Sequence, residues 1–241
     1  PAASFNVRSD TRITAVTPKG ASGSASIIVT TPAGSNSPNT QFTYVTAGTT
    51  FTQILGQPTD HNATINVRAS APLEIYYQYG LTSSVYIGQT GSVTATADPY
   101  SNGYYVGQAV LNGLVPDQRY YYRMQYRPAG SSAAFTPAGE RSFHTQRQPG
   151  SSFVFAIQGD SHPERATKMF NSDLYIQTLT AANAEQPDFY LTSGDDFSVD
   201  TLPGPYTASA IAGRYTLQLP YFDFLNASAL FLVTGNHEQT S

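Results

Sequence analysis

Between Phe153 and Glu238 three short apolar runs each break off at a glycine followed by acids, amides or histidines: "FVFAIQGDSH", "DFYLTSGDD" and "ALFLVTGNHE". Helix-length segments separate them, "RATKMFNSDLYIQTLTAANAEQ" after the first run and "YTASAIAGRYTLQLPYFDFLNA" after the second. Continuous apolar runs of this length read as buried strands, and strand–helix–strand–helix–strand joins parallel strands by helical crossovers. In the first helical segment Ala166, Met169, Phe170 and Leu174 are expected to share an apolar face.

Parallel strands bring their carboxyl ends to one edge of a sheet, so the three polar clusters should converge there. Asp160, His162, Asp195, Asn236 and His237 then face one pocket, and Gly159, Gly194 and Gly235 permit the sharp turns that place them over the strand tips. Carboxylate, imidazole and amide oxygen together suit Zn, Mn or Fe, and a carboxylate can bridge two ions about 3.5–4 Å apart. Taken singly, a Gly-Asp after a strand is commonly a turn or helix cap and an Asn-His a loop. Three such clusters, each at a strand end, carry the metal reading. Asp196, Asp200 and Glu238 are left between two roles, orienting the ligands or standing as solvated loop acids.

Upstream the pattern is of another class. Residues 1–46 hold "RITAVTP", "SASIIVTTPAG" and "QFTYV", strands and turns with Ile27 and Val29 alternating against Ile28 and Thr30. Residues 47–148 give regularly spaced strands, "ATINVRA", "LEIYYQYG", "VTATADP", "GYYVGQAVLNGL", "RYYYRMQYR" and "GERSFHT", which fit one β-sandwich. By alternation Tyr120, Tyr122 and Met124 face its core while Tyr121, Arg123 and Gln125 face out. The 17 tyrosines are read as core and rim residues and assigned no ligand. His61 and His144 are expected at the surface or in turns rather than as ligands. A polar linker, "HTQRQPGSS", leads into the α/β segment at residue 149.

Composition narrows the function further. Cysteine is absent, which excludes disulfides, thiolate metal sites and Cys nucleophiles. With a net charge of −4 and no Lys/Arg cluster, binding to a nucleic-acid duplex is disfavoured. Charged residues make up only 12% of the chain, and with abundant Thr, Ser, Gly, Tyr and Pro this points to β-rich modules outside the cell. No run approaches the roughly 18 apolar residues of a membrane-spanning helix, and an export signal, if there is one, lies upstream.

Resemblances sharpen these expectations. Residues 1–46 resemble the second half of an IPT/TIG domain, an immunoglobulin-like sandwich, and "LVPDQRYYYRMQY" resembles the Leu-x-Pro-x-x-x-Tyr-x-Tyr passage of fibronectin type III domains, with Leu114, Pro116, Tyr120 and Tyr122 in its positions. Asp-x-His, Gly-Asp and Gly-Asn-His-Glu look like the first three motifs of the calcineurin-like metallophosphoesterases. The fold class that follows is multidomain: two all-β immunoglobulin-like sandwiches, the first partial, then a partial α/β metallophosphoesterase domain at 149–241.

Carried over by motif, Asp160 and His162 hold a first metal, Asp195 bridges, Asn236 holds a second, and His237 is the proton donor or phosphate contact. The family implies hydrolysis of phosphate mono- or diesters through a metal-bound hydroxide, with two Zn, Mn or Fe ions. A sandwich just before such a domain is similar to purple acid phosphatases. The chain departs from them at His162, where that group has Gly, and at Ser198, where it has a tyrosinate ligand, so tyrosinate-to-iron colour is not expected. A later His and a final Gly-His-x-His of the family are not in these residues. The chain is therefore expected to belong to a longer polypeptide, and on its own to bind metal weakly or not at all and to be inactive. A rival reading remains open: an extracellular structural or adhesive protein, assembled through its sandwich modules, in which the phosphoesterase part is incidental.

Overall fold

The computed structural model describes residues 4–10, 12–16, 23–38, 42–44, 49–100, 103–166 and 168–239. They fall into two compact units, Pro1–Thr49 and Thr50–Ser241. The whole is mostly β-sheet with few helices.

In the first unit the described strands pair as three separate two-stranded antiparallel ladders: Ser4–Ser9 with Arg12–Val16, Gly23–Ala25 with Phe42–Tyr44, and Thr30–Thr31 with Gly34–Ser35. The alternating strand expected across Ile27, Ile28 and Val29 does not form. Residues 26–29 lie outside regular structure and all three apolar side chains are exposed, so among the described residues no second layer selects one face over the other.

The second unit begins as a β-sandwich. One antiparallel sheet contains β1 (Phe51–Gly56), β2 (Asn62–Ala69) and β4 (Tyr105–Asn112), in the order β4-β2-β1. The other pairs β3 (Leu73–Gly80) with β5 (Arg119–Pro128), and β5 with β6 (Arg141–His144). Inward-facing residues of both sheets make one core, with Ile65, Ile75, Tyr77, Leu111, Met124 and Phe143 fully buried. Tyr120, Tyr122 and Met124 point into it as the alternation requires. Gln125, expected outside, is buried, because its amide donates to Gln78 Oε1 at 2.8 Å on the neighbouring strand.

The α/β part follows as β7 (Phe155–Gln158), α1 (Ser172–Ala184), β8 (Phe189–Thr192), α2 (Ala208–Phe222) and β9 (Ala229–Leu232). The strands are parallel in the order β7-β8-β9, with Gln158, Thr192 and Leu232 level at their carboxyl ends. Both helices cover one face, where Leu179 of α1 and Phe222 of α2 close on Tyr190 and Leu230. On the other face Ala229 enters the sandwich core, while the stacked rings of Phe155 and Phe189 run out to exposed Ile157 and Phe231.

Helix α1 starts later than the apolar periodicity suggests. Asn171 caps it by accepting from the Leu174 N–H at 3.1 Å, and capping by a short polar side chain outweighs the apolar residues before it. Met169 and Leu174 are exposed, and the buried stripe runs instead through Tyr175, Leu179 and Ala182.

Arginines tie the sandwich to the α/β part. Arg119 of β5 donates to Ala227 O at 3.1 Å and Gln186 O at 2.9 Å, and Arg141 of β6 pairs with Asp223 at 2.6 Å. His144 is not at the surface, as expected from sequence, but buried, with Asp117 and Asp188 carboxylates each 3.7 Å from its ring nitrogens. Those acids are distant in sequence, so no local grouping announces them.

Candidate metal centre

The loops leaving β7, β8 and β9 meet at the carboxyl edge, and glycines set how closely. Gly194 has φ +95°, open to glycine alone at little cost, and a Cβ there would fall on the backbone of Gly235. A Cβ on Gly235 would in turn fall on the Asp195 carboxylate. Backbone bonds stitch the loops together: Ser193 N–H to Gln158 O at 2.9 Å, Ser161 N–H to Asp195 O at 3.2 Å and Val199 N–H to His237 O at 2.7 Å.

Glu238 completes the junction. One oxygen accepts from the N–H groups of Gly235 (2.8 Å) and Asp195 (2.9 Å), the other from Asp196 (2.5 Å) and Phe197 (3.2 Å). It is neither a metal-facing group nor a solvated acid but a clamp between two loops. No spacing rule reveals such a residue, because its partners are backbone amides.

Ligand atoms of His162, Asp195 and His237 lie within 4.8 Å of one another. The imidazoles of His162 and His237 meet edge to face, centroids 5.1 Å apart. Nε2 of His162 is buried and lacks a hydrogen-bond partner among the described residues. A basic nitrogen left bare beside a carboxylate is a donor pair that fits a divalent ion, with the His237 imidazole within reach of it. His162 and Asp195 both sit in the left-handed region, at φ 50° and 57°. That conformation is unfavourable for residues with a Cβ and recurs at functional sites.

The remaining predicted residues flank the group. Asp160 is exposed, its Oδ2 3.9 Å from His162 Nε2, and Asn236 is exposed beside His237. Asp200 accepts from His237 Nδ1 at 2.7 Å, which assigns it to orienting that ring. Asp196 turns away into a buried polar network beneath the edge, where Gln158 Nε2 donates to it at 2.9 Å. Burial pushes its carboxyl up to about 6; hydrogen bonds from Thr192 and Gln158 oppose the rise, while Glu238 and Asp195 add to it. Gln158 also accepts from Tyr175 and Tyr190, and Gln218 donates to Tyr175, so the loops rest on a hydrogen-bonded floor. His61, as expected, lies in an exposed turn, its Nδ1 3.0 Å from Leu114 O. A cavity of about 310 Å³ lies elsewhere, between β1, β2 and β4 of the sandwich and α2.

A parallel edge with converging His and Asp side chains defines a metal-capable α/β site fused to a β-sandwich. Among solved structures, a purple acid phosphatase from yellow lupin (Lupinus luteus) seeds matches with a TM-score of 0.53 and 17% identity, covering 77% of this chain and 35% of that one. The likeness is one of fold, and the chain spans about a third of that phosphatase. The sensor domain of the anti-sigma factor RsgI4 of Pseudobacteroides cellulosolvens matches over 43% of this chain and 100% of its own, at 13% identity and a TM-score of 0.31, too low to carry an argument. No protein-family model matches, and no curated protein does.

Proposed function

We propose that this chain is part of an exported, metal-dependent phosphoesterase acting on phosphate mono- or diesters. The observation that carries the reading is the buried, unpartnered Nε2 of His162 held against Asp195 and His237. The phosphatase-like fold supports it. In this reading residues 1–46 close an IPT/TIG-like module, 47–148 form a fibronectin-like sandwich and 149–241 begin the catalytic domain.

Asp160 and His162 would hold one ion, Asp195 would bridge and Asn236 would serve the second. Zn, Mn or Fe bound there supplies Lewis-acid polarisation of phosphoryl oxygens and an activated water at neutral pH. His237 is the proton donor. The Asp200 carboxylate keeps the ring proton on Nδ1, so Nε2 is the nitrogen that exchanges a proton with the leaving alkoxide. Ser198, where the purple enzymes carry a tyrosinate, is buried and bonded to Arg165 and His162, so no charge-transfer colour is expected.

Aryl phosphate hydrolysis by the full-length protein, with and without added metal, tests the proposal. Asp195→Ala is expected to remove both metal and activity, and His237→Ala to slow turnover about 10² to 10⁴-fold with metal retained. Asp160 and Asn236, exposed beside the group, favour the second reading, a surface-associated modular protein with an inactive phosphoesterase part. No hydrolysis by the full-length protein with or without added metal would favour that one instead.

A further inference from the structure

We propose that Glu164 is a positioning residue that keeps the ring proton of His162 on Nδ1 and so presents a bare Nε2 to the metal position. The proposal rests on the metal-site reading. Glu164 has only 4% of its side chain exposed, rare for a glutamate. Its Oε1 lies 3.2 Å from His162 Nδ1 and accepts the Ser198 N–H at 3.1 Å. Ser198 Oγ, 3.0 Å from the same Nδ1, already accepts from Arg165 Nη2 at 2.8 Å.

A carboxylate has no proton to give. At this distance Nδ1 is placed to donate to it, against the competing Ser198 hydroxyl, which still has a proton of its own to offer Nδ1; donation from Nδ1 leaves Nε2 with its lone pair on the side of Asp195 and His237. A carboxylate hydrogen-bonded to the far nitrogen also makes the near one a better ligand. The second oxygen of Glu164 is buried without a hydrogen-bond partner among the described residues. Oε1 also faces Arg165 Nε at 3.6 Å, but with Oε2 bare the carboxylate is only half satisfied, a poor device for holding a core together, which points to a role toward His162.

Long-range ¹H–¹⁵N NMR of the metal-free chain, above the reference imidazole pKa of about 6.5, reads the tautomer directly. Wild type is expected to carry its His162 proton on Nδ1. Glu164→Ala is expected to shift the ring toward the Nε2-protonated form and, in the full-length protein, to weaken Mn(II) binding about 10- to 100-fold, while Glu164→Gln, which keeps an acceptor oxygen, restores the wild-type tautomer. The wild-type reading stands even where the Ala variant does not fold. An Nε2-protonated wild type, or an unchanged tautomer in Glu164→Ala, overturns the proposal. An Nδ1-protonated wild type whose full-length form takes up no Mn(II) supports the role of Glu164 and sinks the metal-site reading, so the two failures are told apart.

Discussion

Removing the Glu238 clamp should loosen the site without unfolding the molecule. Glu238→Ala deprives four N–H groups, those of Gly235, Asp195, Asp196 and Phe197, of their acceptor at once. Hydrogen bonds to a charged acceptor contribute about 1.5–3 kcal/mol each, but four sharing one carboxylate are not additive, and the freed amides nearer the surface regain water. Asp196 is the buried one, at 4% exposure, and its stranded N–H alone costs about 1–3 kcal/mol. A total of about 2–4 kcal/mol is expected, falling on the junction because both helices and the sheet remain packed. Amide hydrogen exchange resolved by residue measures it: protection at 195–197 should drop about 30- to 1,000-fold while amides of β2 and β5 are unchanged. Protection at Asp196 within about threefold of wild type would refute the clamp, as would an equal loss across the sandwich.

Three further outcomes are expected. Gly235→Ala should cost about 1–3 kcal/mol and weaken metal binding, since the new methyl displaces the Asp195 carboxylate; urea unfolding and metal titration check it. Arg119→Ala removes bonds to Ala227 O, Gln186 O and Ser142 Oγ, and should lower the temperature of the shared thermal transition without splitting it, as calorimetry checks. The sandwich core should fail in alkali: burial raises the Tyr122 phenol to about 12 and Tyr77 in the same direction. A raised phenol pKa means stability is complete below about pH 10 and is lost toward 12, at about 1.4 kcal/mol per pH unit for each group; Tyr86 and Tyr215, also raised to about 12, add to the slope, so Tyr122→Phe should remove about one such increment from it rather than abolish it.

The strands of the α/β part were legible because buried parallel strands need unbroken apolar runs and the turns over their tips need glycine. Alternation likewise placed Tyr120, Tyr122 and Met124. What escaped depends on contacts between distant residues. His144 reads as a surface or turn histidine until Asp117 and Asp188 close on it, Glu238 reads equally as a ligand-orienting or a solvated acid, and Glu164 carries no signal, until the fold turns the two glutamates onto a set of backbone amides and an imidazole. The false start of α1 has a local cause: apolar periodicity carries no information about which Asn will cap, and Asn171 decided it.

Ala229 lies fully inside the sandwich core, and Ile54 of the sandwich packs against the cluster formed by the two helices. Each part thus keeps a piece of itself inside the other. The Pro/Gly-bearing segment around residue 149 looks like a place to cut, but a protease or a cloning boundary there would leave two products with open cores. Recombination that moved the α/β part alone would face the same penalty, so within Thr50–Ser241 the two parts are expected to be inherited, expressed and degraded together.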